Sequence, residues 1–245
     1  MKKIIKISVL VLFVILVING CKKGDNSNPY NGKTTAVFNP NLTYGTMTDQ
    51  DDNVYKTITI GTQTWMAENL RTTRYRDGSA IPNITEITAW GNLTTGAYCN
   101  YNNTTSADTI ATYGRLYNWY AVTDSRNIAP EGWHVPTDAE WTTLVTYLGD
   151  FKVAGGKMKE TGTTHWITTN EGATNESGFT ALPSGDREGY IYGTFHNMGA
   201  CGIYLSSTFD IISLQVWPML DSWTTNVSRF VAYKDLGLTV RLVKD

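Results

Sequence analysis

Apolar and polar positions alternate along residues 54–60, pause at Gly61-Thr-Gln-Thr64 and resume in Trp65-Met-Ala-Glu-Asn-Leu70. A period of two broken by a glycine-containing turn predicts a β-hairpin. The period changes over residues 137–148, where Trp141, Leu144, Val145 and Leu148 recur at i, i+3, i+4 and i+7. Thr137 and Glu140 make a capping box after Pro136, and Gly149 ends the run, so this stretch predicts a helix with one buried face. A second helix is predicted over residues 116–122, with Leu116, Trp119 and Tyr120 sharing a side. Short apolar runs between turn residues then return at 179–182, 189–192, 203–206, 215–220, 230–233 and 238–243, a pattern of strands. A hairpin, two helices and then strands is an α+β order, and the last strand is free to pair beside the first hairpin and close the domain.

The N-terminus carries a different pattern. Lys2, Lys3 and Lys6 precede an apolar run over residues 7–18 that only Ser8 interrupts, and Asn19-Gly-Cys21 follows. Such a run rises about 18 Å as a helix, short of the roughly 30 Å hydrocarbon core of a bilayer, so residues 1–20 read as a cleaved leader. Gly20 directly before Cys21 resembles the lipobox of bacterial lipoproteins. That resemblance implies an acylated Cys21 and a membrane partner, the outer membrane, held through the N-terminal lipid. Residues 21–45 hold Pro29 and Pro40, are rich in Asn, Gly, Lys and Thr, and read as a flexible tether. Residues 46–245 are left for one folded domain.

Composition narrows the class. Of 245 residues 41% are hydrophobic and 17% charged, which excludes a disordered or polytopic membrane chain, and 36 Thr, 22 Gly and 14 Tyr favour strands and turns. Without the leader's lysines, 17 of the 20 basic residues face 22 acidic ones. That balance argues against a nucleic-acid partner.

Several motifs inside the domain carry a resemblance. Trp65-Met-Ala-Glu-Asn-Leu70, Gly96-Ala-Tyr-Cys-Asn-Tyr101, Tyr113-Gly-Arg-Leu-Tyr-Asn-Trp-Tyr-Ala-Val122, Gly132-Trp-His-Val-Pro-Thr-Asp-Ala-Glu-Trp141, Gly155-Gly-Lys-Met-Lys-Glu-Thr161 and Ala173-Thr-Asn-Glu-Ser-Gly-Phe-Thr-Ala-Leu-Pro183 resemble the Fibrobacter succinogenes major paralogous domain. The likeness runs in order over residues 47–245. It implies a lipoprotein or surface protein of the kind found in Bacteroidetes and Fibrobacteres, with no assigned molecular activity. More distantly, Val135-Pro-Thr-Asp-Ala-Glu-Trp141 and Leu238-Thr-Val-Arg-Leu-Val243 are similar to signatures of formylglycine-generating enzymes, which implies a C-type-lectin-like fold. Relatives carry a cysteine before the Gly-Trp-His motif and another in the final strand, whereas Ala129 and Leu242 stand here. The remaining cysteines of the domain, Cys99 and Cys201, leave two outcomes open, a bridge across a long loop or two separate thiols.

Candidate chemistry is sparse. Nothing around Cys201 matches the paired cysteines of formylglycine-generating enzymes, and no Gly-x-Ser-x-Gly is present. His134, His165 and His196 lack metal-ligand spacing and read as hydrogen-bonded structural residues, and no cofactor fingerprint occurs. Glu171, Glu176, Asp186 and Glu188 are carboxylates of unknown separation. The Glu-Pro-Asn, Gln-Pro-Asp and Trp-Asn-Asp motifs of calcium-dependent lectins are absent, so sugar recognition would rest on aromatics. Trp65, Trp119, Trp133 and Trp141 fall at core spacing. Tyr190, Tyr192, Phe195 and His196, in a Gly-broken polar stretch, and Trp217 and Trp223 are the ligand-binding candidates. Arg187 joins them as a candidate, although for Arg187 and Arg241 the favoured role is a buried ion pair. The expected function is a non-catalytic, membrane-tethered binding module for glycan or protein. A structural subunit of the envelope is the alternative, and a formylglycine-type enzyme is a remote third.

Overall fold

A computed structural model describes residues 32–189, 193–209 and 215–245. The N-terminal half of the domain builds strands β1 Gly45–Thr48, β2 Val54–Ile60 and β3 Gln63–Met66, helix α1 Ile87–Gly91, strand β4 Tyr98–Cys99 and helix α2 Ala107–Tyr113. Strand β5 Leu116–Tyr117, helix α3 Trp119–Val122, strand β6 Trp133–His134 and helices α4 Asp138–Tyr147 and α5 Ala154–Met158 follow. The chain ends in strands β7 Ser184–Arg187, β8 Phe195–Met198, β9 Cys201–Ile203, β10 Gln215–Asp221, β11 Ser228–Ala232 and β12 Val243–Lys244. Mixed helix and strand with antiparallel ladders is the α+β class that the sequence implies.

The first sheet has the order β1-β2-β3-β12-β6. Val243 of the last strand lies opposite both Trp65 of β3 and His134 of β6. The C-terminal strand therefore closes the domain beside the first hairpin, as its apolar run predicts. Because successive side chains of a strand point to opposite faces, Met66 and Leu242 enter one core cluster while Trp65 and Val243 enter another. The middle of the sheet is buried on both faces. On the second face Trp141 of α4 meets Trp65 at 4.7 Å, Phe179 at 5.9 Å and Tyr204 at 5.6 Å between ring centroids. Helix α4 starts where the capping box places it, with Thr137 accepting from the Glu140 N–H and the Glu140 carboxylate accepting from the Thr137 N–H. Strands β9, β10 and β11 form a second sheet, and β4 with β5 and β7 with β8 form two small ladders.

Three expectations need correction. Residues 116–122 do not make one helix, because Asn118 interrupts them. Its side-chain oxygen accepts from the N–H groups of Ala97 and Ala121, both at 3.0 Å, and caps the single turn α3. Residues 179–182 do not form a strand, since Thr180 has φ 53° and is held there by the side chain of Asn175. The predicted strand at 189–192 falls largely outside the described residues. The tether read over residues 21–45 is docked from Gly32 onward. The Lys33 N–H donates to Asp108 Oδ1 at 2.7 Å, the Thr35 N–H to Thr112 Oγ1 at 3.0 Å and the Val37 N–H to Glu160 Oε1 at 2.5 Å. Phe38, Leu42 and Tyr44 then pack against the second core cluster. Backbone groups of a Thr- and Asn-rich strap need no hydrophobic period to dock on side-chain acceptors, so periodicity gives no sign of it.

Candidate functional site

The ligand-binding candidates from the sequence are scattered. Arg187 is fully buried. Its Nε donates to the Gly193 carbonyl at 2.9 Å, Nη1 to Ile84 at 2.6 Å and Nη2 to Thr85 and Glu86 at 3.0 and 3.2 Å, between the rings of Trp90 and Phe195. It is a bolt through the loops and, among the described residues, makes no ion pair. Arg241 is built the same way, stacked on Phe179 at 4.7 Å and donating to Asn69 Oδ1 and to the carbonyls of Met66, Phe179 and Thr180. His196 is half exposed, with Nε2 2.8 Å from Thr194 Oγ1 and 3.5 Å from Glu188 Oε2. Trp223 is 57% exposed on a turn whose N–H groups Asp221 caps. Among the described residues no hydrogen bond or ring contact joins His196 to Trp223. Tyr190, Tyr192 and the acylation candidate Cys21 lie outside the described residues, and Trp217 is described only as a β10 backbone position opposite Phe230.

Cys99 and Cys201 are free, buried thiols in different core clusters. Burial pushes both up to about 11, so neither is an activated nucleophile. Among the described residues no group of three His, Cys, Asp or Glu side chains is arranged to hold a metal.

What the structure does bring together is a polar cavity of about 490 Å³. One wall is the loop before β2. Asp49 folds it, with Oδ1 accepting from the Asp51 and Asn53 N–H groups at 2.9 and 3.0 Å and Oδ2 from the Tyr55 hydroxyl at 2.6 Å. Burial raises the Asp49 carboxyl above its ordinary value despite these bonds. Gln50, Asp51 and Asp52 are thereby turned toward the cavity, Asp52 in the left-handed region at φ 61°. The second wall follows β3. Arg71 is only 7% exposed, lies flat over the Tyr55 ring at 4.4 Å and donates from Nη2 to the Val54 carbonyl at 3.1 Å. Among the described residues its Nε and Nη1 have no hydrogen-bond partner. Arg115, which precedes β5, donates from Nε to the Arg71 carbonyl at 2.8 Å and stacks on Tyr98 at 4.8 Å. Asp51 is already engaged, by the Thr73 hydroxyl at 2.8 Å and by Arg74 Nε at 3.1 Å. Gln50 donates to the carbonyls of Arg74 and Ile128, and its Oε1 is buried without a partner. Thr105, on the loop before α2, completes the rim. Three guanidinium groups against two carboxylates make a donor-rich basin suited to a polar, anionic small molecule.

A second polar array lies under the strap. Glu160 Oε2 is 2.7 Å from His165 Nδ1, and His165 Nε2 is 2.9 Å from Thr35 Oγ1. An acid, an imidazole and a hydroxyl in line have the composition of a nucleophile triad. Here Glu160 also accepts from Val37 and Thr35 also meets Thr112 Oγ1 at 3.1 Å, so the array fastens the strap to the domain. Neither the cavity nor this array is marked in the sequence. Their residues are contributed by segments far apart in the chain, so no single stretch of sequence marks either of them.

No curated protein and no solved structure matches this chain. A family model does, over residues 58–244, a span that holds Arg71, Arg115, α4 and the closing strand while leaving the Asp49–Asn53 loop just ahead of it, and by that match the chain belongs to the Fibrobacter succinogenes major domain family.

Proposed function

We propose that the mature protein is a cell-envelope lipoprotein, acylated at Cys21 and carried on the outer membrane, whose domain is a non-catalytic binding module for a glycan or protein ligand. The observation that carries the binding role is the 490 Å³ cavity walled by Arg71, Arg115 and the Asp49–Asn53 loop. Its size falls within the roughly 300–1,000 Å³ of small-molecule sites. The leader and Cys21 support the anchor. The C-type-lectin-like fold belongs to the same proposal, supported by the closure of β12 beside β3. Against the formylglycine-type alternative stands Cys201, a lone buried thiol.

The test is retention of glycans and envelope extract on the immobilised full-length protein. Thr105→Trp, a change at an exposed rim position, fills the cavity and is expected to abolish retention, while Tyr190→Ala plus Tyr192→Ala leaves it intact. Undiminished retention by folded Thr105→Trp would remove the cavity from the proposal. A structural role in the envelope is favoured by a different observation, the exposure of Phe209 at 59%, whose ring centroid lies 5.7 Å from Lys234 Nζ, and of Tyr233 at 70%, the residue before Lys234. Crosslinking of the protein to one envelope partner through that patch, with no glycan retained, would make this the better reading.

A further inference from the structure

We propose that the cavity takes a carboxylate-bearing sugar, its carboxylate held by Arg71 with Arg115 behind it and its hydroxyls by Gln50 and Thr73. This rests on the binding-module reading and assigns the ligand class of the same site.

Arg71 differs from the other buried arginines of this chain. Arg187 and Arg241 each make four hydrogen bonds, which satisfy most of their five N–H groups. Arg71 is almost as deeply buried and makes one, through Nη2, with Nε and both hydrogens of Nη1 lacking an acceptor. A buried guanidinium with open donors is unfavourable unless an anion supplies the acceptors. The Glu68 carboxylate, which lines a smaller cavity together with Arg71, does not supply them. The Glu68 Oε2 accepts from the Lys56 N–H at 2.5 Å, and no ion pair joins Glu68 to Arg71 among the described residues. Asp51, on the other cavity wall, is taken up by Thr73 and Arg74.

The charge count selects the anion. Arg71, Arg74 and Arg115 against Asp51 and Asp52 leave one net positive charge, which matches a singly charged carboxylate, whereas a phosphate dianion would face both aspartates. A planar carboxylate also fits a guanidinium better than it fits any other cation. The unpartnered acceptor Gln50 Oε1 and the Thr73 and Thr105 hydroxyls around the same space call for a ligand with several hydroxyl groups, as a sugar ring has.

The probes are glucuronate, glucose and glucose 6-phosphate, titrated onto the full-length protein in detergent micelles and followed by ligand-observed NMR and calorimetry. Glucuronate is expected to bind about tenfold or more tightly than either of the others, and less tightly as salt rises. Arg71→Gln should weaken it by about tenfold. Asp52→Asn, which suits the left-handed backbone there, should strengthen it by about threefold because a like charge is removed. That opposite sign keeps the test decisive if Arg71→Gln does not fold. Equal affinity for glucose, tighter binding of glucose 6-phosphate, absence of glucuronate binding to the folded protein, or no response to Asp52→Asn would each overturn the assignment. Retention of another ligand that Thr105→Trp abolishes would still stand, so failure here is distinguishable from failure of the binding-module reading.

Discussion

Three cations carried into this core, Lys159, Arg187 and Arg241, are met mainly by backbone carbonyls and not by carboxylates. Lys159 is the fullest case. Its Nζ, wholly buried, donates to the carbonyls of Glu171 and Asp221 at 2.9 Å and of Thr224 at 2.8 Å, and lies 5.5 Å from the Trp166 ring centroid. Burial pulls its pKa down to about 8, so the ammonium still carries its proton near neutral pH. One side chain thus ties α5 to the loop at residue 171 and to the turn that follows β10. Lys159→Met keeps most of the volume but leaves three carbonyls without a donor, and about 3 kcal/mol or more of stability should be lost. Urea denaturation measures it, and a loss below about 1 kcal/mol would show that water replaces the ammonium. At this scale the sequence is least legible. Every residue carries a carbonyl, so nothing in the string separates a basic residue bound for a carbonyl cage from one bound for an ion pair or a ligand. That is why Arg187 reads as half of an ion pair or, less favoured, as a ligand contact, and Arg71, lying just past a motif, is not singled out at all.

Elements whose ends are set by their own side chains are legible. Helix α4 is the clearest, because Thr137, Glu140 and the i, i+3, i+4, i+7 apolar set all lie within one stretch. Thr137→Ala should cost about 1 kcal/mol, read as a shift in the denaturation midpoint. Residues 116–122 mislead for the complementary reason. Asn118 acts on Ala97, more than a helix length away, and its capping of α3 cannot be told from a polar residue on a helix surface until that partner is known. Helix α4 is also tied to the sheet. His134 Nε2 lies 2.7 Å from Glu140 Oε1 and Nδ1 lies 2.6 Å from Asp245 Oδ1. Burial alone would lower the His134 pKa, but its bonds to Asp245 and Glu140 prevail and raise it. Burial likewise opposes, and the Thr137 and His134 bonds overcome, so that Glu140 is lowered. The folded state therefore holds the His134 proton more tightly than the unfolded chain does. This contribution is complete below about pH 6.5 and lost as pH rises through the higher folded value. The Glu140 contribution is present above about pH 4.5 and lost on acidification. A melting temperature about 1–3 °C higher at pH 6 than at pH 8 is expected, and His134→Gln should remove that difference. Melts of the variant that keep the full pH dependence would assign it to another group.

On the scale of the whole molecule, the N-terminal strap decides where the domain begins. Its lack of any period makes residues 32–45 look like more of the tether, and the family match itself opens only at residue 58. Yet the strap covers groups that need covering. Glu160 is wholly buried, and its carboxylate is shared between the Val37 N–H and His165, whose other nitrogen meets Thr35 and whose ring stands edge-on to Tyr113 at 5.6 Å. Downstream, Phe38 and Tyr44 pack edge to face at 5.4 Å beside Lys56, and Asn39 donates to the Asn175 carbonyl at 3.0 Å, close to the Asn175 side chain that sets the Thr180 turn. A chain beginning at Met47 would expose the Glu160–His165 pair, strip one donor from a buried carboxylate and uncover the apolar surface beneath Phe38, Leu42 and Tyr44. Losing one donor to this carboxylate costs about 1–3 kcal/mol, and the uncovered apolar surface adds about 25 cal/mol per Å², together a large fraction of the stability of an ordinary domain. A chain beginning at Gly32 keeps all of these contacts and should match the full-length protein in its urea midpoint, while the chain from Met47 should unfold at markedly lower urea or aggregate. Glu160→Gln in the longer chain separates the two contributions, since it removes the charge and leaves the aromatic packing. If the Met47 chain unfolded at the same midpoint as the Gly32 chain, the strap would be a surface passenger, and the domain would begin where periodicity alone places it.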